Sequence, residues 1–137
     1  MIIDFNLFDQ ILPEAEKSER GRKNFDLRTQ SQEPTGWQDT SQRMLNVLTP
    51  GTDIPIHRHT NSSETVIVLR GAVEELFYAP DGTILESHIL RYGSPQMAIQ
   101  VPRGTYHTCR CLEPGSVIFE AKDRAYDAKR TEEFLKL

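Results

Sequence analysis

The chain has 137 residues, enough for one domain with a single core. Hydrophobic residues make up 37% and charged residues 26%, which excludes a disordered chain. The net charge of −4 leaves no basic footprint for nucleic acid, and no apolar run nears the roughly 18 residues of a membrane span.

The first stretch, "MIIDFNLFDQ", has two aspartates and no basic region, so we expect no signal peptide. Leu7, Ile11, Leu12 and Ala15 follow a three-to-four spacing that predicts a helix. Pro13 falls inside it and predicts a kink or two short pieces. The next segment, "KNFDLRTQSQEPTGWQDT", is polar and reads as loop with at most one strand. From Arg43 the pattern becomes β: "RMLNVL", "ETVIVL", "VEELFY", "TILESHIL", "MAIQV", "TYHTCRC" and "SVIFEA" are short, rich in β-branched or aromatic residues, and separated by turns. Asp81-Gly82 is a hairpin signal. Seven or eight such strands predict an all-β sandwich or barrel. The end, "TEEFLKL", reads as a short helix or a docking tail. Two cysteines make no disulfide framework and fit a reducing, cytoplasmic setting.

Four residues stand out as metal donors. His57 and His59 are two apart in an extended segment and so share a face. Glu64 follows a short polar loop at the start of the next strand, and His107 follows the "PRG" turn. Three imidazoles and one carboxylate leave coordination positions open for water or substrate. A bare His-x-His pair is also common in solvated turns, so spacing alone leaves convergence open.

Other residues divide between chemistry and packing. His107, Cys109 and Cys111 alternate along one strand, so the thiols either modulate a metal or fill a core as small hydrophobes. His88 and Arg58 read as surface residues, and Tyr106 as packing on the outer side. Glu120 sits in an otherwise apolar strand; it either faces water, pairs with Lys122 or Arg28, or serves as a general base. Asn24 and Arg28 are candidates to fold over the mouth of the site and contact an anionic or hydroxylated ligand, with Cys109 a further candidate for contact near the metal.

Gly51, His57, His59, Glu64 and Gly71 match the first cupin motif at every position, and "PRGTYH" over 102–107 matches the core of the second. The chain therefore resembles the cupins. The resemblance implies a double-stranded β-helix, a jelly-roll barrel, over 43–122, with a helical and loop extension over 1–42 and a tail over 123–137. It implies His57, His59, Glu64 and His107 as ligands to a divalent Zn, Fe, Mn, Ni or Co ion. Two departures touch the second motif: Gly93 lies farther from Pro102 than the pattern has it, and Cys111 replaces a frequent asparagine. "SERGRKNFDLR", "SQRMLNVLTPGTDIPIHRH", "FYAPDGTI" and "EPGSVIFEAKDRAYD" are more narrowly similar to the WbuC family, which is associated with surface-polysaccharide gene clusters. That family pattern has a histidine at Arg28 and Gly-Pro at Arg124-Ala125. The resemblance implies a small-molecule ligand, with a sugar or nucleotide-sugar derivative as the natural guess, and a homodimer paired through edge strands. A metal-dependent isomerase, epimerase, lyase or dioxygenase, a non-catalytic binding module, and an iron- or thiol-based redox protein all satisfy the motifs.

Overall fold

The computed structural model describes residues 1–30, 35–37, 39–124 and 132–136. Helix α1 spans Phe5–Lys17. Asp4 caps it by accepting from the Leu7 amide at 2.9 Å, and Lys17 lies in the last turn. Pro13 does not split the helix, contrary to the expectation of two short pieces. The continuous helix keeps Phe8, Ile11 and Ala15 on one buried stripe. That stripe packs on Leu45, Val47 and Val117. Burying Phe8 and Ile11 contributes roughly 1.5–3 kcal/mol each, enough to offset the hydrogen bond lost at the proline.

Among the described residues ten strands follow: β1 (Arg22–Asp26), β2 (Gln42–Leu48), β3 (His57–His59), β4 (Glu64–Arg70), β5 (Ala72–Tyr78), β6 (Ile84–Arg91), β7 (Ala98–Val101), β8 (Tyr106–Cys111), β9 (Ser116–Lys122) and β10 (Glu132–Phe134). A short 3-10 turn over Leu27–Gln30 follows β1. The strands form two five-stranded antiparallel sheets, ordered β1-β2-β9-β4-β7 and β10-β3-β8-β5-β6. Each of the seven β-rich runs read from the sequence matches one of these strands to within one residue at either end. The architecture is thus mostly β with one short helix. Among the described residues the pairing does not close the sheets into a barrel: each ends in an edge strand.

The first sheet is covered on both faces. Leu45 and Val47 point to the helix, whereas Leu48, Val66, Val68 and Ile118 meet Val73, Leu90 and Cys109 of the second sheet. This alternation follows the two-residue period of a strand. It explains why β2 is buried along most of its length. Gly71, at φ +74°, turns the chain from β4 into β5 against Ser116. A side chain there would lie on the Ser116 hydroxyl, which itself bonds the amide and carbonyl of Ala72. The C-terminal segment docks as strand β10 beside β3, not as a helix, because β3 otherwise presents an open edge.

Candidate metal centre

The first-motif histidines lie on β3, which pairs with β8 at His57 opposite His107. Alternation points all three imidazoles between the sheets. Their ring centroids are 4.3 Å (His57–His107), 5.0 Å (His57–His59) and 5.4 Å (His59–His107) apart. One nitrogen from each lies within 4.8 Å of the others. Glu64, at the start of β4, comes from the opposite sheet. Its two oxygens sit 3.5 Å from His59 Nε2 and 3.5 Å from His107 Nε2.

Backbone carbonyls orient the rings. His57 Nδ1 lies 2.8 Å from the Pro55 carbonyl, and His107 Nδ1 lies 2.9 Å from that of Thr105. With Nδ1–H donating there, Nε2 keeps its lone pair facing the cluster. The "PRG" turn braces the pair of motifs: the Gly104 amide donates to the His59 carbonyl at 2.8 Å, and Arg103 donates to that of Thr60. Two motifs far apart in sequence are thereby held together by bonds to the backbone carbonyls of β3 and the residue after it.

His59 Nε2 and His107 Nε2 are buried and lack a hydrogen-bond partner. Buried nitrogens are seldom left so. Convergent, unpartnered imidazole nitrogens beside a carboxylate fit a divalent cation. The second nitrogen of His59 faces Lys122 Nζ at 3.3 Å and Glu132 Oε2 at 4.0 Å. For His59 Nε2 to ligate, Nδ1 must carry the proton and donate it. Glu132 or an uncharged Lys122 amine is the acceptor at hand.

Electrostatics act differently on the three groups His57, Glu64 and His107. Burial, then the neighbouring His107, lowers the His57 pKa to about 3, so this ring is neutral at ordinary pH. Burial opposes ionisation of Glu64, but the facing His107 and His59 outweigh it and hold the carboxyl well below its usual range. Burial likewise opposes protonation of His107, and Glu64 outweighs it to raise that pKa. Burial lowers Lys122 and raises Glu132.

The cluster opens into a cavity of about 270 Å³. The first sheet supplies Gln42, Met44, Asn46, Glu120 and Lys122 to its wall; Arg20, Arg22 and Asn24 sit at its rim. Glu120 thus lies on the inner face with Oε2 sealed from solvent and unpartnered, rather than facing water. Burial and the negative Glu64 push its pKa up. It holds a proton beyond the usual carboxyl range and is therefore poised to give one at neutral pH before it can take one.

Asn24 reaches this cavity and Arg28 does not. Arg28 instead forks onto Asp26 at 3.0 and 3.2 Å and donates to the Asp39 carbonyl. It lines a separate recess with Met1, Ile3 and Phe119. The 3-10 turn after β1 carries it away from the mouth, which corrects its expected place over the site. Cys109 lies in the intersheet core, where burial raises its thiol well above the ordinary value and keeps it uncharged. Arg58 and Tyr106 stack on the outer face at 4.7 Å, and Arg58 pairs with Glu133. His88 contacts Glu86 at 3.1 Å near the surface.

Several site groups escaped the sequence reading. Glu75, opposite Cys109 in the β5–β8 register, is only 1% exposed, and burial raises its pKa to about 8. Its signal was parity: in "VEELFY" it shares a face with Val73 and Phe77. Gln42 and Asn46 carried the same signal. Glu132 carried none, since its place depends on the tail pairing with β3.

Solved structures with similar folds include the capsular polysaccharide assembling protein CapF from Staphylococcus aureus (TM-score 0.61, 19% identity, 72% of this chain and 29% of that one). Oxalate oxidase in complex with the substrate analogue glycolate aligns at TM-score 0.63 and 16% identity, over 86% of this chain and 57% of that one. Oxalate decarboxylase from Bacillus subtilis aligns at TM-score 0.59 and 17% identity, over 83% and 27%. At these identities the likeness is one of fold alone, and the chain spans less than two thirds of each of these proteins. No curated protein matches the sequence. The family model described as "Domain of unknown function (DUF6016)" matches residues 3–90, a span that holds His57, His59, Glu64 and Glu75, and the chain belongs to that family.

Proposed function

We propose that this protein is a cupin that holds one divalent transition metal on His57, His59, Glu64 and His107 and acts on a small oxygenated molecule in the adjoining cavity. The observation that carries the proposal is the convergence of three imidazole nitrogens, within 4.8 Å of one another, on a carboxylate 3.5 Å from two of them. Zn, Fe, Mn, Ni and Co all suit that donor set. Bound there, the cation supplies Lewis-acid polarisation of a ligand oxygen or a more acidic bound water.

The chain's own residues do the rest. Arg20, Arg22 and Lys122 favour a ligand with negative or oxygen-rich character. The cavity lies below the roughly 300–1,000 Å³ of drug-sized sites and suits a single monosaccharide or a small acid. Glu120 exchanges a proton with that ligand from the wall formed by β9, and Asn24 contacts it at the rim. CapF and the oxalate enzymes support oxygenated ligands by analogy of fold, and the WbuC resemblance favours a sugar derivative. In this reading the two sheets are the halves of a jelly roll, and two copies pair through an edge strand. The strand β6 offers exposed Ile84, Leu85 and Ile89 for that contact.

Elemental analysis of the protein as isolated tests the proposal. One equivalent of transition metal per chain is expected, falling at least about tenfold in His57→Ala and His107→Ala. Metal-free protein that fails to take up Zn, Mn or Fe, or equal loading of the variants, would refute it.

A further inference from the structure

Gln42, Asn46 and Glu120 each present a buried oxygen without a hydrogen-bond partner to one cavity. Gln42 is 6% exposed and Asn46 4%. Both lie on the inner face of β2, with Met44 between them on the same face. In the register with β9, Gln42 pairs with Lys122, Met44 with Glu120 and Asn46 with Ile118. Lys122 in turn pairs with Glu64 on β4. The oxygens therefore form a patch on the first sheet that begins one strand from Lys122 and two from the carboxylate of the histidine cluster.

A buried acceptor left unpaired is destabilising, so a patch of them points to a donor that arrives with the ligand. A fully ionised dicarboxylate has no donor to give. An ammonium group would supply donors but no acceptor for Arg20, Arg22 and Lys122, which line the same cavity beside Glu64, Glu120 and Glu132. A hydroxyl satisfies both demands. It donates to the amide oxygens of Gln42 and Asn46 and accepts from the protonated Glu120 carboxyl and the cations.

We infer that Gln42, Asn46 and Glu120 form a hydroxyl-recognition subsite, and that the ligand is a polyhydroxylated molecule of monosaccharide size rather than a dicarboxylic acid. This deepens the proposed function, on which it rests for the position of the ligand's other end. The proposal predicts a specific pattern of loss. Site oxygens that bond a ligand hydroxyl discriminate strongly against an analogue lacking it, because they are then left buried and unpaired.

Calorimetric titration of the protein as purified, with its metal content measured in parallel, tests this. The probes are D-gluconate, D-glucose, hexanoate and oxalate. Gluconate or glucose should bind at least tenfold more tightly than hexanoate and oxalate. Asn46→Leu and, independently, Gln42→Met should each weaken the polyol by about tenfold, leave metal content unchanged, and raise the melting temperature of the ligand-free protein. Two substitutions are used so that failure of one to fold leaves the other readable. Hexanoate or oxalate binding as well as the polyols would overturn the inference. So would unaltered polyol affinity in both variants, or no binding of either polyol at millimolar concentration. Absence of metal with polyol binding still sensitive to Asn46 would instead remove the metal reading and leave the subsite.

Discussion

His107 shows how much one side chain depends on its surroundings. Its Nδ1 is engaged by the Thr105 carbonyl, which leaves Nε2 aimed at Glu64 and at the rings of His57 and His59. Lys122 extends this control to His59. Lys122→Met keeps the bulk of the stem and removes the amine beside Nδ1. We expect it to weaken metal affinity about 10–100-fold, as loss of outer partners does. Competition against a chromophoric chelator reads this, and unchanged affinity would show that Glu132 alone orients the ring. Glu75 makes a different prediction. It keeps its proton in the folded chain up to about pH 8, whereas its ordinary value is 4.5. The folded chain then binds more protons than the unfolded one between these values. The stability tied to Glu75 is full below the unfolded value and is lost as pH rises through the folded one. Urea melts of metal-free protein should therefore show stability declining from about pH 5 to pH 8, with a shallower decline in Glu75→Gln. Equal slopes would place the titration elsewhere.

Strand pairs and turns are what carry these side chains to one place. The turn at Gly71 combines a positive φ with direct approach to Ser116. Gly71→Ala should lose about 2–3 kcal/mol in chemical denaturation, from backbone strain and displacement of the Ser116 hydroxyl. A loss under about 0.5 kcal/mol would mean that the turn relaxes freely. The helix is held more locally. Asp4→Ala removes the acceptor of the Leu7 amide and should cost about 1 kcal/mol. Because α1 packs on the outer face of the first sheet, that loss should leave metal content untouched. The strands β2 and β4–β9 were legible because each run is short, β-rich and bounded by Gly, Pro or Asp. The helix was legible from its spacing, yet its continuity through Pro13 was not. Propensity near a proline says nothing about the sheet that rewards one unbroken apolar stripe.

The molecule as a whole divides its labour between the two sheets. One contributes the three histidines, and the other contributes Glu64 with the polar wall of Gln42, Asn46, Glu120 and Lys122. The apolar cluster of Leu48, Val68, Val73 and Ile118 holds the sheets together below. The outer edge at β6 exposes Ile84, Leu85 and Ile89, and light scattering after size exclusion should return a dimer mass. A monomer would mean that this edge is protected by other means. Among the described residues no helix is long and apolar enough to cross a membrane.

The sequence alone singled out the candidate donors and the extended segments that carry them. His57 and His59 two apart, Glu64 after a polar loop and His107 after "PRG" are local patterns, and alternation fixes which neighbours share their face. It could not say what stands opposite. Only the tertiary structure placed Gln42 and Asn46 across from the histidines, brought Glu132 in from the tail, buried Glu75 and turned Arg28 away. Those outcomes depend on sheet order and on contacts between residues distant in the chain. A two-residue period specifies a face, whereas the pairing of β2 with β9 and of β10 with β3 decides what that face meets.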